Sequence, residues 1–161
     1  KHLQAMILRA QLHKGTSFLE IYQNCNIFND GAFEIFTEKT SKPDETLFLE
    51  QGKPLIFGKE NNKGLRLDGF QPQVVTLGEG YSADDLWVHD EADIYKAQIL
   101  TRIHDNPAME GHLPRPFGVF YENNNRPCYE EMMALQLEDA KIRKAPDLNA
   151  LLRGNETWTI N

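Results

Sequence analysis

The chain has 161 residues, 25% of them charged and 40% hydrophobic, the balance of an ordinary soluble protein with one domain or one plus an appendage. Its net charge of −7 argues against nucleic acid as the main partner, and no apolar run approaches the roughly 20 residues that span a bilayer. Two cysteines, Cys25 and Cys128, are too few for a secreted disulfide framework and point to a reducing cytoplasm.

The opening residues, Lys1-His2-Leu3-Gln4-Ala5-Met6, read as a helix already under way, without an initiator Met or a signal peptide. Leu3, Met6, Ile7 and Ala10 recur at helical spacing, and Leu8 and Leu12 widen the stripe. Gly15 suits a left-handed stop, with His13 and Lys14 at the negative end of the helix dipole. The next run, Ser17-Phe18-Leu19-Glu20-Ile21-Tyr22, is nearly continuous in apolar residues, the pattern of a strand covered on both faces of a parallel sheet. Residues 1–25 therefore read as the last helix–strand step of an α/β domain whose earlier strands are missing from this chain.

A polar loop (26–31) and a charged connection with Pro43 follow. Residues 46–50 and 54–57, separated by Gln51-Gly52-Lys53, are expected to form a β-hairpin. Short strands are expected at 65–67 and 74–77, with another at 86–88. Asp90, Glu91 and Asp93 mark a helix start, and Tyr95, Ile99 and Ile103 its apolar face, with the end set before Pro107. Residues 117–121 read as a strand. Pro127 sits where a first-turn proline would, followed by Glu130 and Glu131, and Tyr129, Met133, Leu137 and Ala140 form a stripe. Lys141, Arg143 and Lys144 suit the C-terminal end of that helix. Asp147 caps a last short helix closed by Gly154, and Trp158 and Ile160 form an apolar tail.

The stretch HKGTSFLEIYQNCNIFNDGAF, residues 13–33, is similar to β subunits of 2-oxoacid:ferredoxin oxidoreductases. The segments LIFGKENNKGLRLDGF, RPFGVFYE and LNALLRGNETWTI resemble the 2-oxoglutarate branch, so the resemblance covers the whole chain. It implies an α/β (mixed α+β) fold. Residues 1–36 would be the C-terminal end of a thiamine-diphosphate-binding domain, and 37–161 a C-terminal domain of hairpins and helices. It implies oxidative decarboxylation of a 2-oxoacid to acyl-coenzyme A, using thiamine diphosphate, magnesium and a 4Fe–4S cluster that passes electrons to ferredoxin. It also implies an α subunit as partner. Cys25 sits where the family has a cluster ligand after this strand, at the functional end of a parallel strand.

A cluster needs four protein ligands, usually cysteines. The family's Cys-x-x-Cys pair, its further cysteine and its Gly-Asp-Gly…Asn diphosphate motif have no match here; Leu67-Asp68-Gly69 is not that motif. No catalytic residue is therefore assigned, and the isolated chain is expected to be inactive. The alternative is a non-catalytic assembly module. The unpaired strand 17–22 predicts self-association, as a dimer, or an alternative pairing with the chain's own C-terminal strands.

Other features have plain readings. Cys25 without its motif would be a small buried hydrophobe, and Cys128 a packing residue behind Pro127. The 58–64 segment lacks the ending of a phosphate loop and reads as a turn, with a subunit contact as a further possibility. His2, His13, His89, His104 and His112 show no zinc spacing. Asp84, Asp85, Asp90, Glu91 and Asp93 lack a calcium-loop pattern and read as caps and solvated charges. Glu20 is open between a buried paired acid and a site residue.

Overall fold

The computed structural model describes residues 1–103, 112–143, 147–154, 158 and 160. The fold is mixed α/β, as expected. The described elements run α1 (His2–Leu12), α2 (Lys42–Glu45), β1 (Thr46–Phe48), β2 (Ile56–Phe57), β3 (Lys63–Asp68), β4 (Gln71–Thr76), α3 (Ile94–Leu100), β5 (Arg115–Phe117), α4 (Tyr129–Ile142) and α5 (Leu148–Arg153). Short 3-10 turns lie at Glu34–Phe36 and Ala83–Asp85.

The strands make two small sheets. β1 and β5 pair in parallel, with Leu47 opposite Pro116, and Leu49 N–H extends the ladder to the Phe117 carbonyl at 2.8 Å. β2, β3 and β4 form an antiparallel sheet in that order. The β3–β4 link is a two-residue turn, Gly69-Phe70, between the paired Asp68 and Gln71. Positive φ is needed at its first position alone, and Gly69 supplies it (+61°). Pro72 is tolerated in β4 because that strand lies at the sheet edge.

The core lies where the sheets meet under α3. Leu47, Leu49, Leu55, Phe57, Leu65, Trp87, Leu100, Ile103 and Leu113 form one buried cluster. Helix α3 starts on Asp93, whose carboxylate accepts the N–H groups of Tyr95 (3.0 Å) and Lys96 (3.1 Å).

Several expectations are corrected. Residues 17–22 form no strand, because among the described residues no neighbouring strand accepts or donates along their backbone. The hairpin expected from 46–50 and 54–57 does not exist. Those segments turn at Glu50–Lys53, but β1 bonds to β5 and β2 to β3, so they sit in different sheets. Residues 86–88 make one isolated bridge, Pro54 to Val88, although Trp87 bonds both Leu65 and Leu55. The strand expected at 117–121 is shifted to Arg115–Phe117, and Gly118 (φ +142°) breaks it. Helix α3 ends at Leu100 and buries Ala97 and Leu100, while Tyr95 is exposed. Pro127 precedes the cap of α4, which is Cys128, so it is not the first helical residue. The apolar stripes of α1 and α4 are real in spacing, yet neither helix has a buried residue. Pro107 and Lys144 lie outside the described residues. Helix α1 ends at Leu12 with His13 as an extended C-cap, so Gly15 (φ +116°) lies beyond the position after the last turn that was expected of it, whereas the Asp147–Gly154 bounds of α5 match expectation.

Candidate functional site

Helix α1 has little apolar anchorage, and a charge cluster holds it. Arg9 on its inner side pairs with Glu91 and Glu122. Its Nη1 donates to Glu91 Oε1 at 2.9 Å and its Nε to Glu122 Oε2 at 3.0 Å. The acids are positioned by backbone: Glu122 N–H donates to the Glu91 carbonyl (2.7 Å), and Glu91 N–H to Gln51 Oε1 (2.7 Å). Arg9 as donor holds the Glu122 carboxyl below its usual range against the opposing effect of burial. His13 Nδ1 lies 3.6 Å from Glu122 Oε1.

Beyond α1 the chain is pinned by aromatic packing. Tyr22 stacks on Phe33 with centroids 4.8 Å apart and meets Phe117 edge-on at 5.7 Å. The Arg115 guanidinium lies 6.0 Å from the Tyr22 ring centroid and 5.9 Å from that of Phe36. Tyr22 and Phe33 thus close a loop that contains Cys25.

Within that loop Cys25 begins a tight turn. Asn29 N–H donates to the Cys25 carbonyl at 2.9 Å. The Asn24 carboxamide spans the turn: its Nδ2 donates to Asn26 Oδ1 and Asp30 Oδ1, both at 2.9 Å, and its Oδ1 accepts Gly31 N–H at 2.9 Å. The Cys25 thiol pKa is lowered, chiefly by the backbone amides of Phe28 and Ile27 and less by that of Asn29, with burial opposing, because N–H dipoles favour the thiolate. Cys25 is partly exposed, while Ile27 (83% exposed) and Phe28 (90%) project from the same turn. A partly exposed thiol with a lowered pKa can bind a soft metal or act as a nucleophile.

An open groove of about 1000 Å³ runs beside this region, between the end of α1 with residues 14–20 and the 118–130 segment. Glu20 is exposed on it, which overturns the buried-acid reading and leaves a site role open. Cys128 also lines it. Its backbone N–H donates to Glu131 Oε2 (3.2 Å), and it is partly exposed rather than a core residue.

The remaining candidates are structural. Among the described residues no three His, Cys, Asp or Glu side chains gather as a metal site. His89 is fully buried, with Nε2 2.8 Å from the Val119 carbonyl. His112 Nε2 lies 2.5 Å from Glu45 Oε2, His2 packs edge-on to Phe48, and His104 is outside the described residues. Residues 58–62 form a turn with positive φ at Gly58 and Asn61, while Lys63 and Gly64 already belong to β3, so the turn expected over 58–64 is shorter; Lys63 Nζ fastens it to Asp44 at 2.8 Å. Asp85, Asp90 and Asp93 cap backbone amides. Glu91 departs from that group: it is buried and receives Arg9. Sequence reasoning missed the Arg9, Glu91 and Glu122 cluster and the Asn24 brace.

Among the described residues no helix is long and apolar enough to cross a membrane. No family model matches the chain and no solved structure resembles it significantly. It is 29% identical over 165 aligned positions to 2-oxoglutarate oxidoreductase subunit KorB of Mycobacterium tuberculosis. That alignment covers 99% of this chain and 42% of the relative, so the chain spans less than half the relative's length. The similarity bears out the resemblance read from the sequence.

Proposed function

We propose that this chain is the C-terminal part of the β subunit of a cytoplasmic 2-oxoacid:ferredoxin oxidoreductase of the 2-oxoglutarate type. The observation that carries the reading is the alignment with KorB over 99% of the chain. The overall reaction joins a 2-oxoacid anion and coenzyme A into acyl-coenzyme A, releasing carbon dioxide, one proton and two electrons for ferredoxin. When bound, thiamine diphosphate with magnesium would supply the carbon chemistry, and a 4Fe–4S cluster the electron path.

Cys25 is the residue of this chain suited to the cluster. Its lowered pKa favours the thiolate, the form that binds iron. The remaining ligands, the diphosphate site and the catalytic groups would come from the rest of the subunit. The nine residues of the core cluster all fall within 37–161, which supports a division near residue 36. The exposed apolar faces of α1 and α4 support contact with an α subunit, so an assembly role is part of the same reading.

The test uses the full-length subunit with its α partner. Cys25→Ala should reduce iron content, abolish the low-temperature electron-paramagnetic signal of the reduced cluster and stop 2-oxoglutarate-dependent ferredoxin reduction. A four-iron cluster of normal content in that variant sinks the ligand assignment. Faster turnover of pyruvate than of 2-oxoglutarate by the unsubstituted enzyme sinks the substrate assignment. The 161-residue chain alone, given thiamine diphosphate, magnesium, iron and sulfide, should show no cluster absorption and no 2-oxoacid-dependent dye reduction.

A further inference from the structure

His13 is the C-cap of α1, the point where the helix gives way to the 14–20 wall of the groove. Its Nδ1 is buried and makes no hydrogen bond among the described residues, yet it lies 3.6 Å from Glu122 Oε1 on the opposite wall. Both side chains are mostly covered, at 17% and 18% exposure. Glu122 already shares Arg9 with Glu91, so one cation serves two acids. The other charged or titratable groups lining the groove are Lys14 and Glu20 on the His13 wall, and Tyr121, Arg126, Cys128, Tyr129 and Glu130 on the far one. Among all these residue types histidine is the one that ordinarily changes charge between about pH 5 and 8. Helix α1 buries no residue, so polar contacts of this kind set where its end rests.

We propose that His13 is a proton-operated latch across this groove. Protonated, its Nδ1–H donates to Glu122 Oε1 and draws the end of α1, with the wall that follows it, onto the 118–122 segment. Deprotonated, it lets the two walls part. A proton taken up with gain of a partner favours the closed form at low pH, and that contribution is lost as pH rises through the histidine's titration. The partner must stay ionised. Arg9, as hydrogen-bond donor, holds the Glu122 carboxyl below 4.5, so Glu122 remains an acceptor through the range in which a histidine charges. The latch therefore works in mild acid and fails only in stronger acid. It is independent of the cluster assignment and of the substrate.

The experiment measures amide hydrogen exchange in the full-length subunit at about pH 5.5 and about pH 8, the two sides of the histidine range. Rates are corrected for the pH dependence of intrinsic exchange, and the amides of β3 and β4 report any global opening. The last turn of α1, where His13 N–H donates to the Arg9 carbonyl at 3.1 Å, should be about fivefold better protected at the lower pH. His13→Gln keeps a polar side chain that does not titrate, and its last turn should be equally protected at both pH values. His13→Lys carries a cation at both, and should be well protected at both. No pH response in the unsubstituted subunit overturns the proposal. The same response in His13→Gln also overturns it, because another group then carries the proton. Protection in His13→Lys no better than in His13→Gln overturns it too, since charge on residue 13 would then not matter.

Discussion

Arg9 shows how one side chain can hold an element that packing does not. Glu91 is only 7% exposed, so without Arg9 a buried polar group would be short of a partner. Arg9→Ala leaves two neighbouring carboxylates facing each other, and should destabilise the chain by about 1–3 kcal/mol in urea unfolding at neutral pH. Glu91→Gln keeps the shape and should have a smaller effect. The pH dependence follows from the lowered Glu122 carboxyl, for which Arg9 is the main cause. Its folded pKa lies below the value of 4.5 for a free glutamate. The bond therefore contributes fully above that range and is lost as pH falls through the folded pKa. Urea midpoints should drop on acidification, and Arg9→Ala should flatten the drop; an equal slope in both proteins would rule out this cluster as the source. None of it was visible in the sequence, since the partners lie 82 and 113 residues from Arg9. Cys25, by contrast, stands out in the sequence because its neighbours form a recognisable string, and its proposed role rests on that string.

At the level of elements, local signals were read well and long-range pairing was not. The caps at Asp93 and Asp147 and the Gly154 stop are written in adjacent residues, and the structure has them. The hairpin expected across Gln51-Gly52-Lys53 failed because adjacency suggested a pairing that β5, far along the chain, takes instead. Gly118 marks the place where that parallel pair ends. A Cβ there would lie 2.9 Å from Leu49 Cβ and 3.0 Å from its carbonyl oxygen, at a φ of +142°. Gly118→Ala should therefore cost about 2–3 kcal/mol, by backbone strain and overpacking. Gly64 provides the contrast. A Cβ there meets the branch atoms of the buried Leu86 at 2.5 Å, but these are side-chain and not backbone atoms, and φ is not positive. Gly64→Ala should cost about 1 kcal/mol. Thermal unfolding of both variants checks the order, and a Gly118 variant no less stable than the Gly64 one contradicts the contact.

The whole molecule exposes 13122 Å² for its 18.5 kDa. A compact monomer of that mass exposes about 8,200 Å², so the excess is roughly 60%. Much of it is apolar: Leu12, Phe18, Phe28, Ile142 and Trp158 are all largely exposed. Such an excess fits the proposed contact with another subunit, and it is larger than the roughly 1,200–2,000 Å² of a standard interface. The sequence had already pointed there, through an apolar run at 17–22 too continuous for a solvated segment. The absence of strand partners was expected from the sequence; that these residues would then form no strand was not. The isolated chain is therefore expected to self-associate, with a sedimentation coefficient that rises with concentration. Phe18→Glu combined with Ile21→Lys places opposite charges on that segment and should shift the chain toward monomer, leaving the core at 47–113 and its thermal unfolding intact. A co-expressed α partner should suppress self-association of the unsubstituted chain by covering the same residues. If the chain sediments as a single monomer up to millimolar concentration, the exposed segment is not an adhesive surface, and the partner-covered reading loses its physical basis.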